Sequence, residues 1–201
     1  LAGSDYSLLR PEFEDVSNQL HSPLRGSLLL TFGGSDPMDL SRIAVGLLDQ
    51  FFPPETATLL VTGPLYRSQG DLPEVLRSSK VKVQRHHAVQ NMAPLYLQTR
   101  LAISAAGSAQ FELAATGTPA LLAVIASNQK QSGVRALEEG GSYSFDFIDT
   151  NPEEAMRRLL SFAGQLWFDN EKLRAMANRA LKLVRSGGAL RAAEAVLSLL
   201  R

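Results

Sequence analysis

The stretch Gly26-Ser-Leu-Leu-Leu-Thr-Phe32 followed by Gly33-Gly34-Ser35-Asp36-Pro37 decides the reading of this chain. An unbroken apolar run of strand length that ends in a small-residue turn is the mark of a strand buried on both faces. An amphipathic stretch follows directly. Over Asp39 to Phe52 the spacing puts Leu40, Ile43, Ala44, Leu47, Leu48 and Phe51 on one helical face. The unit then recurs. Strands are expected at Thr56 to Thr62, Val81 to Val83, Leu101 to Ser104, Ala120 to Ala126 and Tyr143 to Phe147. Helices are expected at Leu72 to Arg77, Met92 to Leu97, Ala109 to Thr116 and Gln129 to Glu139, the last closing on Gly140-Gly141. Beyond Pro152, placed at a helix N1 position behind Asn151, the chain reads as helical to Arg201, with breaks near Phe168-Asp169 and Gly187-Gly188. Single helices between doubly apolar strands imply an α/β class with a Rossmann-like parallel sheet and helices on both faces.

Composition agrees with a globular domain. The 201 residues are 45% apolar, and 20 basic residues cancel 20 acidic ones, which argues against a basic nucleic-acid domain. Cysteine is absent, so thiolate chemistry and disulfides are excluded, and a cytoplasmic setting is expected. With three His, two of them adjacent, no metal site is expected. The longest apolar run, Pro119 to Ala126, is far shorter than a membrane span. Residues 1–26, with Ser, Pro and Gly scattered through them, read as a connector, and residues 27–201 as the domain. The chain starts at Leu1, and a piece of a longer protein is expected.

Ligands of such sheets sit at the carboxyl ends of the strands. That places three loops together: Phe32 to Asp36, Ser104 to Ser108, and Ser127 to Gln129. Small residues there permit close approach, and the unpaired N–H groups of a following helix attract phosphate. The same loops also serve as plain strand-to-helix turns, and neither a P-loop nor a Gly-x-Gly-x-x-Gly motif is present. Glu112, one turn after Ser108, is placed to accept two ribose hydroxyls, or else is a solvated glutamate near a helix start. Asn128 and Gln129 offer amides to sugar hydroxyls, or cap a helix. His86 and His87 point to opposite sides of an extended chain, which disfavours a paired base or metal role. Trp167 and Phe168 read as core anchors, and Arg174, Arg179, Lys182 and Arg185 as a solvated face.

Three segments together carry a family likeness: Thr31-Phe-Gly-Gly-Ser-Asp-Pro37, Ala102-Ile-Ser-Ala-Ala-Gly-Ser-Ala-Gln-Phe-Glu112 through Gly117-Thr-Pro-Ala120, and Asn128-Gln129. The opening Tyr6-Ser-Leu-Leu-Arg-Pro-Glu-Phe13 agrees. The set resembles the C-terminal half of the PseG-type UDP-sugar hydrolases of pseudaminic acid biosynthesis, which are similar in fold to the MurG-type transferases of GT-B architecture. The resemblance implies that this half holds UDP. Gly34 and Ser35 would approach the diphosphate, and the loop from His86 to Met92, with His87 and Met92 among its contacts, would cover uracil. Gly107 and Ser108 would donate N–H groups to phosphate, Glu112 would hold ribose, and Asn128 and Gln129 would meet the sugar or its phosphate. It further implies a catalytic histidine in an N-terminal partner domain that this chain lacks, no cofactor, and release of free sugar and UDP by water only in the full protein. A MurG-like donor-binding domain of a glycosyltransferase and a non-enzymatic Rossmann-like binder are the alternatives.

Overall fold

The computed structural model describes residues 4–14, 16, 25–131 and 141–199. Six strands, β1 (Ser27–Thr31), β2 (Thr58–Thr62), β3 (Val83–His87), β4 (Thr99–Ala105), β5 (Ala120–Val124) and β6 (Ser142–Asp146), form one sheet in the order β3-β2-β1-β4-β5-β6. Every pairing is parallel. Eight helices are described: α1 (Pro11–Glu14), α2 (Leu40–Leu47), α3 (Leu72–Ser78), α4 (Ala93–Leu97), α5 (Ala109–Ala115), α6 (Pro152–Trp167), α7 (Asn170–Leu183) and α8 (Gly188–Ser198). None of them is long and apolar enough to cross a membrane.

Strand pleating divides the core in two. Leu28, Leu30, Leu60, Ile103 and Leu121 point to one face, where α2 and α6 pack with Leu40, Leu159 and Leu160. Leu29, Val61, Ala102 and Leu122 point to the other, with Tyr96, Leu113 and the buried Phe13. This two-sided burial is why β1, β2 and β5 read as continuous apolar runs. The expected helix over 39–52 stops sooner. It runs as α2 and ends in a 3-10 turn at Leu48–Gln50, so Phe51 and Phe52 lie beyond it. Asn151 caps α6 by accepting the N–H groups of Glu153 and Glu154, as its place before Pro152 suggests.

One expectation needs correction. The third strand is Val83–His87, not 81–83, and it contains both histidines rather than preceding them. It is a polar edge strand in register with β2, from Thr58 opposite Val83 to Thr62 opposite His87, so hydropathy did not mark it. The described part of the expected connector is also anchored. Leu9, Phe13 and Val16 are buried in the second half of the core. The expected helix over Gln129 to Glu139 lies largely outside the described residues, and Ser127–Gln129 form a 3-10 turn.

Asp49 ties the end of α2 to the approach to β3. Its carboxylate accepts the N–H groups of Lys80 (2.9 Å) and Val81 (3.0 Å) and the Ser79 hydroxyl (3.1 Å). Desolvation pushes its pKa up, but these donors outweigh it and hold the group below the ordinary carboxylate range. A depressed value contributes stability that is present above the unfolded-chain pKa and lost as pH falls through the folded one. Asp49→Asn is therefore expected to flatten the fall of Tm with acid below about pH 4. An unchanged slope would show that these bonds do not favour the charged form.

Candidate nucleotide site

A cavity of about 690 Å3 opens at the carboxyl ends of β1, β2 and β3 and reaches the start of α5. Its floor is Thr31, Gly33 and Gly34 after β1, with Thr62, Gly63 and Pro64 after β2. One side is Ala88 to Gln90 with Met92, and the other is Ser108, Phe111 and Glu112. The segment Tyr6 to Arg10 closes over it.

Sequence separates these pieces, and polar contacts bring them together. Arg10 donates from Nε and Nη2 to the two oxygens of Glu112, at 2.9 and 3.2 Å, and from Nη1 to the Gln90 carbonyl at 2.8 Å. Its guanidinium also lies over Phe13. The hydrogen bond to Glu112, more than its burial, sets the Arg10 pKa, which is raised. The Tyr96 hydroxyl points at Glu112 from 3.4 Å, and desolvation first, then the Glu112 charge, raises the phenol pKa. Glu112 is thus a carboxylate fixed by Arg10 on the cavity wall rather than a freely solvated glutamate. Arg10 and Tyr96 were missed as site residues. The only signal for Arg10 was its place in the Tyr6 to Phe13 segment, and a contact over a hundred residues in separation leaves no local pattern.

The loop after β1 departs from expectation in a specific way. The N–H groups of Leu40 and Ser41 at the tip of α2 already donate to the Asp36 carboxylate, at 2.9 and 2.8 Å. That helix tip offers nothing to phosphate. Burial raises the Asp36 pKa, and the Ser41 and Leu40 donors partly offset it. Beside it Asp39, 1% exposed, accepts from the Tyr66 hydroxyl (2.5 Å), Arg42 Nε (2.6 Å), the Ser68 hydroxyl (3.2 Å) and the Gln69 N–H (3.1 Å). Asp39 holds the loop after β2 against the start of α2, while Asp36 binds only the tip of that helix. At the start of α5, by contrast, the N–H groups of Ser108 and Ala109 have no hydrogen-bond partner among the described residues.

Of the sequence-derived candidates, Gly34, Met92, Ser108 and Glu112 line the cavity. Ser35 and Gly107 sit next to lining residues without joining them. The His87 side chain is exposed, with Nδ1 3.1 Å from the Thr62 hydroxyl, and the wall is instead made by Ala88, Val89 and Gln90 after it. Ala88 holds a left-handed φ of 51°. Asn128 and Gln129 also lie outside the lining, because β5 is separated from the cavity by β4. The Gln129 Oε1 accepts the Ile125 N–H at 2.9 Å, so that oxygen is engaged within its own loop, and neither residue supplies a side-chain cap to the turn at Ser127–Gln129. No cluster of metal-ligating side chains occurs among the described residues.

No family profile matches the chain. Over 129 residues, 60% of the chain, it is 29% identical to an uncharacterized protein of Methanocaldococcus jannaschii, of which that stretch is 26%. Among solved structures it aligns with Acinetobacter baumannii MurG at a TM-score of 0.72 and 14% identity, covering 98% of this chain and 55% of MurG. The pneumococcal O-GlcNAc transferase GtfA, solved with UDP and GlcNAc, aligns at 0.64 and 14% identity, over 89% of this chain and 37% of its own. A glycosyltransferase from Rickettsia africae gives 0.60 and 16%, over 97% and 54%. The chain therefore spans about half the length of MurG and about a quarter of the archaeal relative. At these identities the likeness is one of fold: the six-stranded parallel sheet is a Rossmann-like fold shared with part of MurG and of the other two transferases.

Proposed function

We propose that this chain is the donor-binding half of a GT-B enzyme and holds the UDP moiety of a nucleotide sugar in the cavity above β1 to β3. The observation that carries this is the Glu112 carboxylate, fixed by Arg10 on the wall of a 690 Å3 cavity at the carboxyl edge of the sheet. Glu112 Oε1 accepts only from Arg10 among the described residues and keeps a second acceptor direction for a ribose hydroxyl, whereas Oε2 already accepts from both Arg10 and the Tyr96 hydroxyl. Ser108, with its unpartnered N–H, and Gly107 beside it would meet the diphosphate, with Gly34 and Ser35 opposite. Val89 and Met92 would flank the base. His87, Asn128 and Gln129 lie outside the cavity lining, and the last two would meet only the sugar or its phosphate beyond it.

GtfA, solved with UDP, and MurG support transfer to an acceptor as the full protein's reaction. Transfer to water, with release of free sugar, is the finer reading that rests on Gly33 to Pro37 and Asn128-Gln129 alone. Both require residues from a second domain, the proposed partner of the 27–201 unit. An assay of the full-length protein for sugar release without an acceptor separates them.

For the domain itself, calorimetry with UDP is the test. Glu112→Ala is expected to weaken UDP by about 1–3 kcal/mol, roughly 5- to 150-fold, through loss of a charged acceptor. UDP at 100 times its Kd should stabilise the parent by about 2.7 kcal/mol. Absence of any UDP-dependent heat or Tm shift would remove the proposal. Equal affinity in the variant would remove only the ribose role of Glu112.

A further inference from the structure

At the opposite rim of the sheet, by the amino ends of β4 and β5, lies a second cavity of about 390 Å3. Arg25, Arg100 and Arg174 line it with Asn170 and Asn178, and its lining contains no Asp or Glu. The arginines come from three separate parts of the fold: the approach to β1, the start of β4, and α7.

None of the three makes an ion pair among the described residues, whereas Arg42, Arg77, Arg157 and Arg158 all do. Arg25 is half-buried. Its Nη1 donates to the Gly117 carbonyl (3.1 Å) and the Thr118 hydroxyl (3.2 Å), and its Nη2 to the Thr116 carbonyl (2.6 Å). All of these partners are neutral, and burial without a counter-charge lowers its pKa. Arg100 lies over the Trp167 ring and donates from Nε and Nη2 to the Trp167 carbonyl, at 3.1 and 2.7 Å, and from Nη2 to Asn170 Oδ1 at 2.6 Å. Its Nη1 is left without a partner among the described residues, as are Arg25 Nε and the whole Arg174 guanidinium. The acids next to Asn170 do not compensate. Asp169 accepts the Lys172 N–H as the cap of α7, and Glu171 is exposed and makes no ion pair among the described residues.

Guanidinium groups stay charged at any physiological pH, so this is a pocket of fixed positive charge with donors directed by neutral anchors. We propose that it binds a phosphate-bearing ligand, whose oxygens take the N–H groups left on Arg25, Arg100 and Arg174. A phosphate offers more acceptor oxygens than a carboxylate, which suits three arginines lining one cavity. The volume holds a phosphate with a small organic body. The site shares no residue with the cavity above β1 to β3, so it stands or falls independently of the nucleotide reading.

Inorganic phosphate, titrated at constant ionic strength and followed by NMR of backbone amides and arginine side chains, tests it. Saturable shifts are expected at Arg100, Asn170, Arg174 and Asn178. Arg174→Ala should raise the phosphate Kd about tenfold, the loss of one charge-assisted bond. Asn178→Asp, which puts a carboxylate into the lining, should abolish binding. Both positions are exposed, and an unchanged Tm confirms that the fold is kept. Sedimentation with vesicles of phosphatidylglycerol in phosphatidylcholine, against phosphatidylcholine alone, separates the sources. Capture that Arg174→Ala abolishes identifies a lipid headgroup, and phosphate binding without capture identifies a soluble phosphate ester. Shifts confined to Gly34 and Ser108, or equal Kd values in parent and both variants, would overturn the site and leave Arg25 and Arg100 as clasps of the fold.

Discussion

Asp39→Ala is expected to lower the unfolding free energy by about 3–5 kcal/mol, the cost of breaking a buried charged pair from one side. The carboxylate is 1% exposed and gathers four donors from α2 and the loop after β2. Removing it leaves the Tyr66 hydroxyl and the Arg42 guanidinium without their acceptor. Burial, the first cause, and Asp39 itself both raise the Tyr66 pKa, so the phenol stays a donor throughout the accessible pH range. Asp39 also holds a φ of 53°, which Asp tolerates better than Ala, and this adds about 1–2 kcal/mol. Asp39→Asn keeps the shape and the backbone preference and should lose less. Urea unfolding measures both, with the midpoint moving and the slope m constant. A loss below about 1 kcal/mol for Asp39→Ala would mean that the network does not anchor the folded loops.

Gly63→Ala is the second large effect expected. A Cβ at Gly63 would lie 2.4 Å from both the Cα and the carbonyl oxygen of Gly34, and 2.5 Å from the Gly33 oxygen. These atoms are backbone and have no rotamer to yield. The Leu65 N–H donates to the Gly34 carbonyl at 3.0 Å, so the two loops are already in contact. Overpacking of this kind costs about 1–3 kcal/mol, occasionally more. Because Gly33 and Gly34 form the cavity floor, UDP affinity should fall about tenfold as well, on the scale of one lost hydrogen bond. Gly34→Ala is the control, since a Cβ there meets nothing within 4 Å and its φ is not left-handed. Equal thermal stability of Gly63→Ala and Gly34→Ala would refute the contact.

The parts of the architecture that could be read from the chain are those with doubly buried strands. Leu28 to Leu30, Leu59 to Val61 and Ala120 to Val124 announce themselves because each residue meets a helix layer on its own side. β3 has only one neighbour and shows Gln84, Arg85 and His87 to solvent, so its hydropathy resembles a loop. The edge of the sheet that would carry a ligand was legible from topology. Within it, Glu112 and Ser108 stand out in the sequence because they share one helix start, and both line the cavity. Arg10 and Tyr96 were not, since their link to Glu112 exists only after the chain has closed on itself. Asp36 shows the converse. Its neighbourhood looked like an open phosphate cradle, but its own side chain fills the role an anion would play.

The polar edge at β3 has a colloidal consequence. An outer strand bearing Gln84, Arg85 and His87 leaves main-chain groups unmatched, yet its charge and hydration deter a second molecule from adding a strand there. Such an edge disfavours intermolecular β-pairing at the side of the sheet next to the cavity.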